Sequence, residues 1–388
     1  MTTMREFGET ALRELCRATN LTDLAPQVLD GYRTLTESWG DRRIDQPPLW
    51  STLTSDNTPL ELSVVLTDGP IALRATVEAL AEPSNPATYW AAAQHLTTRL
   101  TEAYDLSPAR LRRIEHLLTP DPARRPPMAA FHTLSWSRAR RPAGKIYLWL
   151  GGTTPRTCGP TCDELLTALG FPGQWPRLAN ALHPEDVLSY LCLDLSDSPA
   201  ARVKLYAQHR GRLAAERLAR LDRLAPHRLA GDGPALARLA ESAAARSGWP
   251  DGVPARTRLQ WRSNSRRFWS CGTYIALVHG RPDPIDSVTH QFALTPHCRN
   301  DNEARTMIRE VLSAYQAPEA ARAAYERCAE VFAGPEPASQ MYAHTYVSAQ
   351  QTSDGPPRIA VYFNPRMFHA KFGLTNGDLD QARRFHHG

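Results

Sequence analysis

KIYLWL at residues 145–150 and RVKLYAQ at 202–208 share one alternation, a lysine followed two positions later by a tyrosine. In an extended strand, residues two apart point the same way. Lys145, Tyr147 and Trp149 therefore lie on one face of the first strand, and Arg202, Lys204 and Tyr206 on one face of the second. Ile146, Leu148 and Leu150 line the opposite face of the first, as Val203 and Leu205 do in the second. Each strand has an apolar side to pack and a side where charge and aromatic surface coincide. The second side of a one-sided sheet would be washed by water. Tyrosine and tryptophan among the charges point instead to a filled, polar interior.

The basic residues sharpen this reading. Lysine and arginine number 45 against 40 acids, but only three are lysine: Lys145, Lys204 and Lys371. In a chain whose lysines have drifted to arginine, those that remain mark places where a compact ammonium matters. Two of the three occupy the matching strands. The net charge of +5 is too small to call for a nucleic-acid partner.

Working outward, the same unit recurs about five times, one or two amphipathic helices followed by a strand pair with a short turn. The first runs from helical text at 4–39 into LELSVVL, the turn TDGP and IALRATVEAL, where Asp68-Gly69 is a hairpin signal. The second leads through TYWAAAQHLTTRLTEAYDL and SPARLRRIEHLL, with Leu111, Ile114 and Leu118 on one helical stripe, to AAFHTLSWS and GKIYLWLG. The third takes CDELLTALG and WPRLANAL into DVLSYLCLDL and ARVKLYAQ. The fourth has arginine- and alanine-rich helices over 211–247, then GTYIALVHG and SVTHQFALT; the fifth has EARTMIREVLSAY and EAARAAYERCAEVFA, then YAHTYVSAQQ and RIAVYFNP. A short helix, GDLDQARRF, is predicted to finish the chain, and 251–270 reads as an arginine-rich connection. About ten antiparallel strands avoid leaving two long edges by closing into a barrel, with helices over the apolar faces outside. The fold class is α+β, and no linker with a shift in composition divides residues 1–388, so one domain is expected.

The remaining composition narrows the partners. At 388 residues, 42% hydrophobic and 22% charged, the chain reads as a water-soluble globular protein. No apolar run nears the ~20 residues of a membrane span, and MTTMREFGETALREL lacks the apolar core of a signal peptide. A cytoplasmic monomer or homodimer acting on small molecules is expected, without nucleic acid or membrane. The seven cysteines, at 16, 158, 162, 192, 271, 298 and 328, are odd in number and scattered. They read as core or loop thiols, neither a disulfide framework nor a metal site.

The inward faces gather Glu61 with Ser63, Arg74, Lys145 with Tyr147, Arg202 with Lys204 and Tyr206, and Arg358 with Tyr362. Like charges in a low-dielectric cavity repel, on the order of 4 kcal/mol per pair at ~4 Å and an effective dielectric of 20, unless an anion sits among them. A multiply charged anion such as a diphosphate fits. The chain has no GxxxxGK[ST] loop and no DDxxD run; Asn300-Asp301-Asn302-Glu303 holds two acids and opens a helix. Side chains must then neutralise the anion.

With these residues in place, the sequence resembles the aromatic prenyltransferases of the dimethylallyltryptophan synthase type, and within them the bacterial indole branch. The resemblance rests on PLELSVVL, LRATVEAL, KIYLWL, RVKLY and VYFNP, in that order over nearly the whole chain. It implies an αββα barrel that moves a dimethylallyl group from dimethylallyl diphosphate to an indole, with no cofactor required, no metal ligands and magnesium at most stimulatory. Arg74, Lys145, Arg202 and Lys204, with Arg358, would grip the diphosphate. Tyr147, Tyr206 and Tyr362, with Tyr346, would shield an allylic cation, and Glu61 would accept the indole N–H. Two departures stand out. SVTHQFALTP lacks the family's basic-or-Gln-x-Tyr, leaving Gln291 to serve there. A proton acceptor is expected on the strand before Lys145, where His132 is the nearest candidate. Tyrosine, a hydroxynaphthalene or a cyclic dipeptide are open as acceptors, and a barrel that only carries a phosphorylated ligand would need the cations but not Glu61.

Overall fold

The computed structural model describes residues 2–46, 49–54, 57–118, 129–210, 215–225, 268–294, 298, 300–333, 343–352 and 355–368. Lys371, the short last helix and most of the 211–267 stretch lie outside them. Ten strands close into a barrel: β1 (Leu60–Leu66), β2 (Ala72–Glu78), β3 (Ala130–Ser137), β4 (Arg140–Thr153), β5 (Val187–Asp194), β6 (Val203–Arg210), β7 (Phe268–Leu277), β8 (Ile285–Ala293), β9 (His344–Thr352) and β10 (Gly355–Phe363). Each pairs antiparallel with its neighbours in sequence. β10 returns to β1, with Leu62 opposite Phe363 and Val64 opposite Val361, and closure leaves no edge to protect. The first three residues of β7, Phe268–Ser270, correct the reading of 251–270 as connection throughout.

Helices precede each strand pair, as the repeat predicts. They are α1 (Met4–Ala18), α2 (Ala25–Leu35), α3 (Pro86–Tyr104), α4 (Ala109–Ile114), α5 (Gly159–Ala168), α6 (Gln174–Ala181), α7 (Ala215–Asp222), α8 (Asp301–Ala314) and α9 (Glu319–Val331). Their ends are written in the sequence. Thr3 and Glu6 form a capping box at α1, Asn85 and Thr88 do so at α3, and Asn300 accepts from the Glu303 backbone N–H at α8. Met4, Leu12, Leu15 and Cys16 give α1 its buried stripe. α2 crosses β3 so closely that a Cβ on Gly31 would meet the Trp136 ring at 2.6 Å.

The main core lies between these helices and the outside of the barrel, where Leu60, Leu62, Val64, Leu73, Ala75, Val77, Ile146, Leu148, Val203 and Leu205 are all buried. Both faces of β1 and β3 are buried, so Glu61, Ser63, Thr133 and Ser135 lie inside an enclosed lumen. Val65, Ala72 and Ala360, with Tyr362 against them, form a separate apolar patch inside. No described helix is long and apolar enough to cross a membrane.

Candidate functional site

Strand register decides which side chains share the lumen. Across β1 and β2, Glu61 stands opposite Thr76 and Ser63 opposite Arg74; Ser63 also faces Tyr362 on β10. Lys145 lies between Thr133 of β3 and Asp194 of β5. Tyr206 lies between Tyr190 and Tyr274, and Lys204 between Cys192 and Ala276. Arg358 is paired with Gln350, and Tyr362 with Tyr346. All of these positions alternate with residues of the outer core, so they point inward.

Arg74, Arg140, Lys145, Arg202, Lys204 and Arg358 act on one another through charge. Arg140 is exposed at the mouth, whereas Lys145 and Lys204 are only 3% and 5% exposed. Burial, then Lys204 and Arg74, pushes the Lys145 ammonium well below its ordinary value. Burial, then Arg202, lowers Lys204, and burial with Arg74 brings Arg358 down to about 10. Each shift marks a cation whose charged form is disfavoured by burial and by its like-charged neighbours. A polyanion placed among them would relieve that cost. The sequence brought five of the six together; it missed Arg140.

Beside the cations stands a belt of rings. Tyr147 meets Tyr206 edge-on at 5.7 Å between centroids, and Tyr206 stacks on Tyr274 at 4.8 Å. The Lys204 ammonium lies 5.2 Å from the Tyr274 centroid. Tyr190 touches Tyr206, Trp149 and Phe131 at 6.4, 5.2 and 5.4 Å, and Tyr346 meets Tyr362 edge-on at 6.2 Å. Burial raises the phenols of Tyr147, Tyr206, Tyr346 and Tyr362, so they remain neutral π surfaces. Tyr274 differs: burial raises it, but Lys204, the Thr289 side chain, Arg358 and Arg74 together hold it below its ordinary value. Tyr190 and Tyr274 were missed. The alternation of YLCLD and GTYIALV, with Leu191, Leu193, Ile275 and Leu277 on the other face, carried the signal for both.

Glu61 is buried beyond the tyrosines. Its carboxylate accepts a hydrogen bond from the Thr345 hydroxyl at 3.0 Å, and it influences Tyr346 and Tyr362. Burial pushes it up to about 8, with Thr345 pulling the other way. A carboxyl at that value changes charge just above neutrality and can accept a hydrogen bond from a bound N–H.

Two candidates stand apart. His132 is opposite Val77 and Ile146, both in the outer core, and its Nε2 is bonded to the Thr97 hydroxyl of α3 at 2.8 Å. It therefore points away from the lumen, and burial alone takes it down to about 3. The expectation of a proton acceptor there is overturned: His132 sits on the face of β3 that holds Leu134 and Trp136. Gln291 does face inward, but its register partners are Gly272 and Ser348, neither of them a cation. Among the described residues, no three His, Cys, Asp or Glu side chains gather as a metal site. All seven cysteines are free and buried.

No family model matches the sequence. Solved structures do match the fold. The chain is similar to 5-dimethylallyl tryptophan synthase from Streptomyces coelicolor, determined in complex with DMASPP and Trp, at a TM-score of 0.76 and 20% identity over 95% of this chain and 96% of that one. It is similar to 6-dimethylallyltryptophan synthase from Micromonospora olivasterospora, also with DMASPP and Trp, at a TM-score of 0.75 and 21% identity over 95% and 99%. AnaPT from Neosartorya fischeri matches at 0.65 and 14% over 94% and 95%. The architecture is thus the ten-stranded prenyltransferase barrel that the sequence led us to expect.

Proposed function

We propose that this protein is an aromatic prenyltransferase that moves a dimethylallyl group from dimethylallyl diphosphate onto an indole ring, tryptophan or a tryptophan-derived metabolite. One observation carries the reading: cations, a tyrosine belt and a buried carboxylate follow one another inside a closed barrel. The fold's likeness to dimethylallyltryptophan synthases bound to DMASPP and Trp supports it.

Each group then has a task. Arg74, Lys145, Arg202, Lys204 and Arg358 bind the diphosphate and stabilise the negative charge that grows as the allylic C–O bond breaks, the electron pair leaving with oxygen. Preorganised cations supply this without a metal, so activity needs none. Tyr147, Tyr206, Tyr274 and Tyr362 present π faces to the dimethylallyl cation, each about 2 kcal/mol when desolvated, and exclude the water that would trap it as an alcohol. Glu61, as carboxylate, accepts the indole N–H and raises the electron density of the ring that attacks the cation. The alkylated carbon then loses its proton to the released diphosphate, the base that the reaction itself supplies, and the ring regains aromaticity.

The test is incubation with dimethylallyl diphosphate and a panel of tryptophan, a tryptophan-containing cyclic dipeptide, tyrosine and a hydroxynaphthalene, read by mass spectrometry. A monoprenylated indole is expected. Prenylation of tyrosine or naphthol alone would move the acceptor class. No product from any acceptor, with diphosphate bound, would make the barrel a carrier.

A further inference from the structure

Asp194 has no part in that mechanism, yet it stands among the cations, where a carboxylate would repel the diphosphate. Its geometry says what it does instead. Asp194 Oδ2 accepts from Arg202 twice, from Nε at 2.9 Å and from the backbone N–H at 3.1 Å, while its own N–H donates to the Arg202 carbonyl at 3.0 Å. Arginine offers five N–H groups in a rigid fork. Holding it by Nε fixes the plane of the guanidinium, and its two terminal nitrogens donate no hydrogen bond among the described residues. The other oxygen, Oδ1, is buried and without a partner among the described residues. Across the β4–β5 pairing its neighbour is Lys145.

We propose that Asp194 is a positioning residue of the anion site: it braces Arg202 so that the terminal nitrogens face the diphosphate, and it is the counter-charge set across the β4–β5 pairing from Lys145. This inference rests on the anion-site reading above. The charged and titratable groups around the pair are Arg74 of β2, Arg110 of α4, Arg140 and Lys145 of β4, Cys192 of β5, Lys204 beside Arg202, Tyr274 of β7 and Arg358 of β10. Burial works to raise the Asp194 carboxyl, but Lys145, Arg202 and Lys204 outweigh it and keep the group ionised. Asp194 in turn is the group that opposes the lowering of Lys145 by burial, Lys204 and Arg74.

The sign of one measurement separates bracing from simple repulsion. If Asp194 only dilutes positive charge, Asp194→Asn removes a repulsive group and tightens anion binding. If it braces, the same change loosens it. Calorimetric titration with inorganic diphosphate is expected to show affinity falling about tenfold in Asp194→Asn, the scale of one charge-assisted hydrogen bond. With Lys145 deprived of its counter-charge, the decline of affinity with rising pH should also begin at a lower pH than in the wild type, which a merely structural role would not produce. Arg202→Lys keeps both charges but cannot keep the Nε contact and present a fork as well, so it should lose affinity similarly, and it serves if Asp194→Asn fails to fold. Unchanged or tighter binding in either folded variant overturns the bracing. A wild type that does not bind diphosphate at all overturns the anion-site reading itself.

Discussion

If Glu61 accepts the acceptor's N–H only as a carboxylate, its pKa of about 8 writes a pH signature into the rate. At pH 7 about one molecule in ten carries the charge; at pH 9 about nine in ten do. Glu61→Gln keeps the shape and removes the charge at every pH. An electrostatic contact of this kind is worth roughly 10²-fold in rate when fully present. The ratio of wild type to Glu61→Gln should therefore grow from about 10-fold at pH 7 to about 100-fold at pH 9. The assay is kcat/KM for the indole at saturating dimethylallyl diphosphate, by chromatography of the product. Taking the ratio cancels any titration of Lys145 and Lys204, which both enzymes share. A 1-methylindole cannot donate the hydrogen bond, so with it the ratio should stay near one across the range. A ratio that does not change with pH, or a mutant that keeps the wild-type profile, would refute the placement of Glu61 against the acceptor. Lost diphosphate affinity in Glu61→Gln would mean that the barrel had been damaged, since the carboxylate lies beyond the tyrosines.

Lys204→Ala should raise KM for the allylic diphosphate and lower kcat, because the ammonium acts on both the bound anion and the departing one; initial rates that match wild type would remove it from the site. Turnover should persist in excess EDTA, since side chains carry the counter-charge, and activity abolished by chelation and restored by magnesium would contradict that. Tyr274→Leu should release more dimethylallyl alcohol relative to prenylated product, by several-fold, through loss of a π wall; an unchanged product ratio counts against its shielding role. His132→Gln should leave kcat within about twofold and change stability instead. The wild-type histidine is held neutral, so between its unfolded value near 6.5 and its folded value of about 3 the unfolded chain binds the extra proton, and stability falls as pH drops. At pH 5 that amounts to about 2 kcal/mol, which denaturant melts of the variant should lack.

The strand faces were legible because the lumen is polar and the outer face is not. Lys145 and Tyr147 against Ile146 and Leu148, or Arg74 and Thr76 against Leu73, Ala75 and Val77, leave a period of two no choice of side. The same rule already placed His132 outside, because AFHTLSWS alternates His132, Leu134 and Trp136 with Phe131, Thr133 and Ser135. Expecting an acceptor on that strand overrode the pattern, and the pattern was right. What alternation cannot give is who meets whom across the barrel. Arg74 of β2, Tyr274 of β7 and Arg358 of β10 are far apart in sequence, and only the closure of β10 on β1 and the register around ten strands make them one cluster. Asp194 was invisible for a related reason. In DVLSYLCLDL it reads as the polar end of a strand, an acid at a turn. It becomes part of a cation site only when β4 brings Lys145 against it on one side and the β5–β6 hairpin returns Arg202 on the other. A residue's chemistry in a closed barrel is thus set less by its own strand than by the two strands beside it.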